Sequence, residues 1–371
     1  MAKIPEKIRG ALEKLVNRIK ESENVSAISL FGSWSRGDAV SSSDVDLLII
    51  DEREILEEFV ERVEVRGVLI DLNYIPKKWI LGQIPPEIDQ KIYEAYILYD
   101  RDWSFTNLKN WMMTVYNSPE RLNIRTESYM VDADIYLSRA SSALSRGDSK
   151  SAQLYAEKAA ERMVTILMDL CQLPISKSRF LKTLEIATEK IQIPEIYAEY
   201  LALTKLYNIE REMAEKTLNS FKRVWDEIAY SIKKNQTNNV HFRVKSKLNY
   251  YLSPLVLQGT ILRAKALIDS EENAETIRYL REILLDMLEN YFWMKTKASK
   301  TQGDPTTLIR SLTEITDEKP NKIYKETIKI FNQENVNEKE ARKSLEKARE
   351  IILKIRNIRR NIIQKIDNKF I

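Results

Sequence analysis

Leu30-Phe-Gly-Ser-Trp-Ser-Arg-Gly-Asp-Ala-Val-Ser-Ser-Ser-Asp-Val-Asp-Leu-Leu-Ile-Ile50 decides how this 371-residue chain is read. The short β-run Val25 to Phe31 ends in a Gly-Ser turn at Gly32 and Ser33. Ten residues follow before Asp44 and Asp46 open a second apolar strand running to Ile50. Side chains alternate along a strand, so Asp44 and Asp46 share one face while Val45 and Leu47 point into the core. Two carboxylates on one edge of an apolar strand repel, and each carries a desolvation cost unless a cation lies between them. Asp71, in Gly67-Val-Leu-Ile-Asp-Leu-Asn-Tyr74, is a third acid flanked by apolar residues on the next strand. If the two strands are neighbours, all three acids converge.

Gly32 and Ser33 supply the complementary half. A strand that turns into a short helix exposes backbone N–H groups and a hydroxyl to an anion at a positive helix terminus. Gly32 lets the backbone approach a phosphate that a Cβ would hold off. Arg36 is a further phosphate contact, and Ser43 caps or supports the acidic strand. Asp44, Asp46 and Asp71 are thus the expected catalytic and metal-binding acids. Gly32, Ser33, Arg36 and Ser43 are the expected nucleotide-binding residues. Two Mg²⁺ ions, with Mn²⁺ as substitute, suit an all-oxygen donor set; roughly 3.5–4 Å apart they would clamp the attacking and leaving oxygens. Asp38, Asp51 and Glu52 lie in polar surroundings and read as surface acids.

Composition limits the rest. A chain that is 43% hydrophobic and 31% charged, with a formal net charge of +4, has a soluble globular balance and too little charge to imply nucleic acid. One cysteine, Cys171, excludes an internal disulfide, and with a single histidine, His241, no zinc site of several His or Cys ligands can form. Cys171, beside Leu170 and Leu173, reads as a buried small apolar residue. No apolar stretch approaches the roughly 20 residues that cross a bilayer, and the first residues lack the apolar core of a signal peptide. The expectation is a cytoplasmic protein with no membrane partner. From Ala341 to Ile371 ten Lys or Arg stand against three Asp or Glu. A solvated basic face on a packed helix explains this more simply than RNA docking.

The expected fold class is α+β, a small mixed β-sheet domain at the N-terminus followed by an all-α helical-bundle region. The divisions fall at 1–118, 119–235 and 236–371. Within the first, Pro5–Ser22 reads as a helix, Val25–Phe31 and Asp44–Ile50 as strands, and Glu54–Arg62 as a helix. Val65–Tyr74 is a third strand, Ile88–Glu94 a short helix and Ala95–Tyr99 a fourth strand. After Trp103 only helices are expected, among them Met130–Ser145, Lys150–Leu170, Glu195–Lys233, Leu255–Ile268, Ala274–Trp293 and Lys339–Ile366. Breaks fall at Asn117-Ser-Pro119, Lys233–Asn239 and Thr301–Pro305. A shift of 124 residues sets Arg139-Ala140 on Arg263-Ala264 and Tyr155 on Tyr279, and Phe180–Ile186 and Leu308–Ile315 follow at nearly that offset. The second helical domain is a candidate repeat of the first, the alternative being that any two amphipathic helices align this well.

Residues from about 20 to 101 resemble the catalytic domain of the DNA polymerase β-type nucleotidyltransferase superfamily. They are most similar to its small prokaryotic branch, the minimal nucleotidyltransferases and kanamycin nucleotidyltransferase. The Gly-Ser, ten residues, Asp-x-Asp pattern carries that resemblance, with Ala95-Tyr-Ile-Leu-Tyr-Asp-Arg101 resembling the strand that ends such domains. It implies Gly32 and Ser33 on the nucleotide phosphates, Asp44 and Asp46 as metal ligands, and Asp71 as the third metal-binding acid beside the acceptor. It also implies transfer of a nucleoside monophosphate, AMP from ATP, to a hydroxyl on a protein or small molecule with release of pyrophosphate. An RNA 3′ end is a further acceptor to weigh, and a second copy of the chain a further partner. The rival from another class is a non-catalytic, antitoxin-like nucleotide-binding or interaction module, against which the intact acid triad argues. In that branch the catalytic domain is often joined to a HEPN-type helical domain, with which residues 125–225 are compatible by helix pattern. No Arg precedes His241 at the spacing of HEPN ribonucleases, so a ribonuclease role is not expected.

Overall fold

The computed structural model describes residues 4–234, 240–298, 304–314 and 321–370. Most of the expected breaks at 233–239 and 301–305, and Ile315 of the expected repeat, lie outside the described residues. The chain forms two compact units, Met1–Arg121 with His241–Arg263, and Leu122–Val240 with Ala264–Ile371. Residues 241–263, placed by sequence reading in the last helical domain, thus pack with the N-terminal unit.

In the first unit, α1 (Glu6–Ile19) buries Ala11, Leu12, Leu15 and Val16, one stripe at helical spacing. It covers one face of a five-stranded sheet ordered β3-β4-β2-β1-β5. The strands are β1 (Val25–Phe31), β2 (Val45–Asp51), β3 (Phe59–Val65), β4 (Val68–Pro76) and β5 (Tyr96–Asp100). Pairing is antiparallel except between β2 and β4, which run parallel. Ile28, Leu30, Leu47, Ile49, Ile70 and Leu72 pack towards α1. Ala27, Phe31, Leu48, Ile50 and Ile75 pack on the other side, against Ile80, Ile92, Phe105, Leu108 and Met112. These last come from α3 (Lys77–Leu81), α4 (Asp89–Tyr93) and α5 (Ser104–Val115). With both faces covered, the central strand β2 is a continuous apolar run beyond its acids.

The helix expected over Glu54–Arg62 is not formed: Phe59–Val65 is strand β3, and the sheet has five strands rather than four. Ile55, Leu56 and Phe59 mimic helical spacing, but β-branched Val60, Val63 and Val65 favour the extended chain. The Arg66-Gly67 turn then folds β3 back on β4, pairing Val65 with Val68. Both turn residues have positive φ, 52° and 69°, as a tight type I′ hairpin requires. The outer edge of β3 is covered by α11 (Phe242–Tyr251), whose Phe242 meets Phe59 edge-on at 5.9 Å.

The second unit is helical throughout its described residues. Its helices are α6 (Pro119–Ser145), α7 (Ser149–Leu170), α8 (Phe180–Lys190), α9 (Pro194–Thr204) and α10 (Arg211–Lys234). After α12 (Pro254–Asp269) follow α13 (Asn273–Ala298), α14 (Leu308–Glu314), α15 (Lys322–Ile330) and α16 (Glu338–Phe370). The single helix expected over Glu195–Lys233 is two, because Lys205 and Asn208 take left-handed backbone at φ 55° and 50°. The order long, long, short, short, long occurs twice, and the last helix of each set lies on the other: α16 along α7 and α9, α10 along α13 and α15. Capping is reciprocal too. Ser151 Oγ on α7 accepts from Ile309 N at 2.8 Å, and Glu275 Oε2 on α13 accepts from Leu181 N at 2.7 Å. Cys171 is buried, and Tyr155, fully buried, donates to the Pro305 carbonyl at 2.5 Å. On α16, Leu345, Ile352 and Ile355 are buried while Lys354 and Arg356 pair with Glu199 and Asp134. The basic helix spends part of its charge within its own unit.

The hairpin gives a stability prediction. A branched side chain at Gly67 is strained by the positive φ, so Gly67→Val should destabilise the first unit by about 1–2 kcal/mol. Chemical denaturation of the full chain, followed by hydrogen exchange over residues 59–76, should locate the loss in this hairpin. An unchanged midpoint would contradict the turn assignment.

Candidate active site

Register, rather than sequence proximity, assembles the acids. In the parallel β2–β4 pair Asp46 lies opposite Asp71; in the antiparallel β1–β2 pair Phe31 lies opposite Asp46; in the β3–β4 hairpin Arg62 lies opposite Asp71. One row across the sheet therefore reads Arg62, Asp71, Asp46, Phe31. Asp44, two residues before Asp46, ends on the same side. Gly32 closes the row at the end of β1, with φ 73° at the start of the four-residue helix α2 (Ser33–Arg36). A Cβ there would come within 2.8 Å of Asp46 Oδ2, so the glycine is required by a close approach as well as by its backbone.

The other expected nucleotide-binding residues are placed less uniformly. Ser33 opens α2, and its carbonyl accepts from the N–H groups of Gly37 and Asp38. Arg36 is turned to Glu94 at 2.6 Å and to Asp38, so its charge is already engaged. Ser43 Oγ accepts from Val40 N at 2.9 Å and so stabilises the loop leading into β2. Asp51, read from sequence as a surface acid, is fully buried and held by Arg53, whose backbone N–H donates to Asp51 Oδ1 at 2.8 Å. The last residue of a covered central strand has no access to water, and a local arginine meets its charge.

Three residues absent from the sequence reading complete the site: Arg62, Tyr250 and Arg263. Arg62, with a side chain only 5% exposed, spans Asp71 with Nε to Oδ1 at 2.7 Å and Nη2 to Oδ2 at 2.5 Å. The same Nη2 reaches Asp44 Oδ2 at 2.5 Å. Arg263, on α12, donates to the other Asp44 oxygen at 2.6 Å. The Tyr250 hydroxyl, on α11, donates to Asp71 Oδ2 at 3.1 Å. A signal for Arg62 did exist, since a hairpin that pairs Val65 with Val68 must set residue 62 opposite residue 71. Tyr250 and Arg263 come from a distant segment with no local motif.

The electrostatics separate the three acids. Burial pushes Asp44 up, but Arg263 and Arg62 outweigh it and hold its carboxyl below the usual range. Asp46 is pushed well up by burial and by the charges of Asp44 and Asp71. Asp71 is raised by burial, against which Arg62 pulls downward. Among the described residues the Asp46 carboxylate has no hydrogen-bond or ion-pair partner, and no three His, Cys, Asp or Glu side chains stand grouped to hold a metal ion. Arg62 and Arg263 instead take oxygens of Asp44 and Asp71. The donor set itself, three carboxylates with no nitrogen or sulfur, fits a hard divalent cation, and the uncompensated Asp46 is where such a charge gains most.

A stability prediction follows. An acid whose folded pKa exceeds its unfolded value costs the folded state wherever the unfolded chain has already lost the proton. The contribution of Asp46 therefore weakens the metal-free protein as pH rises from about 4 through its raised value. Asp46→Asn should raise the thermal midpoint in EDTA at pH 7, with the gain vanishing towards pH 4. Asp44→Asn, which removes an acid with a lowered pKa and two guanidinium partners, should lower the midpoint at pH 7. Equal shifts for the two variants would contradict this arrangement.

The sequence matches the family described as polymerase beta, nucleotidyltransferase, over residues 13–103. A chain of Methanocaldococcus jannaschii, described as a candidate protein adenylyltransferase, is 30% identical over 112 residues, covering 26% of this chain and 74% of that one. The crystal structure of a nucleotidyltransferase-like protein from Exiguobacterium sibiricum is similar over 78% of this chain and 80% of that one, at 11% identity and a TM-score of 0.33, too low to carry a structural argument. The matched residues run from the middle of α1 through β5 and hold the whole row of acids, and the chain belongs to the polymerase beta-type nucleotidyltransferase family, with nucleotidyl transfer as its chemistry.

Proposed function

We propose that this nucleotidyltransferase moves AMP from ATP to a hydroxyl of a protein or small-molecule acceptor, releasing pyrophosphate. The observation that carries the reading is the register of Asp46 against Asp71 on adjacent parallel strands, with Gly32 pressed against Asp46. The relative described as a candidate protein adenylyltransferase supports adenylate as the moiety and favours a protein acceptor.

Asp44, Asp46 and Asp71 would hold the divalent cations. When bound, these supply charge stabilisation for the triphosphate and lower the pKa of the attacking hydroxyl. The acceptor oxygen forms a bond to the α-phosphorus as the bond from that phosphorus to the bridging oxygen breaks, and pyrophosphate leaves with the electron pair. Asp71, raised by burial and beside the acceptor in this reading, takes the hydroxyl proton. Gly32 and Ser33 offer a turn open to the phosphates, and Arg62 orients Asp71 through its two-pronged contact.

Two experiments test the proposal. Pure protein incubated with each α-labelled nucleoside triphosphate, Mg²⁺ and a cell extract should transfer label from ATP to a protein or small molecule. Label carried mainly by another nucleotide, or onto RNA alone, would overturn the choice of AMP and acceptor. Transfer should stop in EDTA and return with Mg²⁺ or Mn²⁺, and Asp44→Ala or Asp46→Ala should reduce it by about 10³-fold or more in folded protein. Gly32→Ala, which drives a methyl group into the Asp46 carboxylate, should lower kcat by about 10²-fold while the sheet stays folded. Wild-type turnover in the alanine variant would show that the close approach plays no part in catalysis.

A further inference from the structure

The two arginines at the acids hold them in different ways. Arg62 belongs to the sheet, lies opposite Asp71, and spans both oxygens of that acid. Such a two-pronged guanidinium–carboxylate pair fixes orientation as well as charge. Arg263 instead arrives from α12, is less enclosed at 14% exposure of its side chain, and binds Asp44 through Nη2 to Oδ1. Asp44 is itself the most accessible of the paired acids, at 29% against 8% for Asp71. Both of its oxygens are taken by guanidinium groups, while Asp46 beside it has no cation. A divalent cation seated on Asp46 and drawn against Asp44 meets the positive charge of both guanidinium groups, so cation and donors oppose each other there. Arg263 is the donor bound to Asp44 alone of the three acids, whereas releasing Arg62 would also uncover Asp71.

We propose that Arg263 is an internal counter-ion of the acid site: it and the divalent cation compete for Asp44, so metal binding is coupled to withdrawal of Arg263, while Arg62 remains on Asp71. This rests on the reading of the three acids as the metal-nucleotide site. Linkage makes the coupling reciprocal. If the cation weakens the Arg263–Asp44 contact, that contact weakens the cation by the same factor.

The test is a titration of the full chain with Mn²⁺ alone, at constant ionic strength and without nucleotide, reading free Mn²⁺ by electron paramagnetic resonance. Arg263→Gln should bind Mn²⁺ about tenfold to a hundredfold more tightly than the unaltered chain, the range expected for losing one charged hydrogen bond as competitor. Adding Asp44→Asn should abolish that gain. Equal Mn²⁺ affinity in the unaltered chain and Arg263→Gln overturns the counter-ion role. If Asp46→Asn still removes Mn²⁺ binding in that case, the reading of the site stands and only the competition fails. If Asp46→Asn leaves Mn²⁺ binding intact in both backgrounds, the metal lies elsewhere and both fail. Should Arg263→Gln not fold, Arg263→Lys keeps the charge on a different geometry. It should also bind Mn²⁺ more tightly than the unaltered chain, by a smaller factor, and equality there overturns the proposal as well.

Discussion

Three carboxylates near enough to act on one another through their charges are the constraint to which the first unit answers. Their mutual repulsion and desolvation would cost several kcal/mol if left unmet. Asp44 and Asp71 are met by guanidiniums, and Asp46 by keeping its proton more readily than an exposed acid would. The sheet topology makes the cluster unavoidable, because β2 and β4 run parallel and in register with Asp46 against Asp71. A one-residue slip between these strands would turn Asp71 to the opposite face and place an apolar side chain beside Asp46. The apolar residues that follow on both strands, buried on both faces of the sheet, hold the register against that slip.

The same constraint accounts for β3. As an edge strand it could have been short and polar, and its sequence carries enough helical spacing to mislead. What it contributes is an arginine directly opposite Asp71, delivered by a two-residue turn in which Arg66 and Gly67 both take positive φ. The edge then has to be covered, and α11 does so with Phe242 against Phe59, itself stacked on Tyr74 at 4.7 Å. Tyr250 lies on that same helix, so the element that protects the sheet edge also adds a donor to Asp71.

Much of the first unit was legible because local patterns carry it. The Gly-Ser turn, the fixed gap and the paired acids on an apolar strand are all short-range features, and their strands formed where expected. The misreading of residues 54–62 shows the limit of periodicity over short runs: charged residues mixed with Ile55, Leu56 and Phe59 fit a helix as well as a strand, and only the turn decides. That one error hid Arg62. Arg36 illustrates the opposite limit, since its position near the turn suggested a phosphate contact while Glu94, distant in sequence, claims its charge. Tyr250 and Arg263 were illegible for a physical reason: no periodicity tells which distant segment will fold back on a sheet. In the helical unit, helix existence followed from the apolar stripes, but the break after Thr204 depends on left-handed residues that no proline or glycine announces.

An enzyme of this kind must stay folded when no nucleotide is present, and that requirement bears on the choice of internal cations. Lysine would neutralise an acid as a point charge, whereas the planar fork of arginine reaches two oxygens, or two acids, at once. Arg62 uses that geometry fully, joining Asp71 to Asp44. Counted as ionised, three carboxylates against two guanidiniums leave one negative charge, that of Asp46, and its raised pKa favours the proton that cancels it. The resting site is thus close to neutral without being saturated. A site fully neutralised by its own arginines would have little electrostatic reason to admit a divalent cation, and one with none would strain the sheet that builds it.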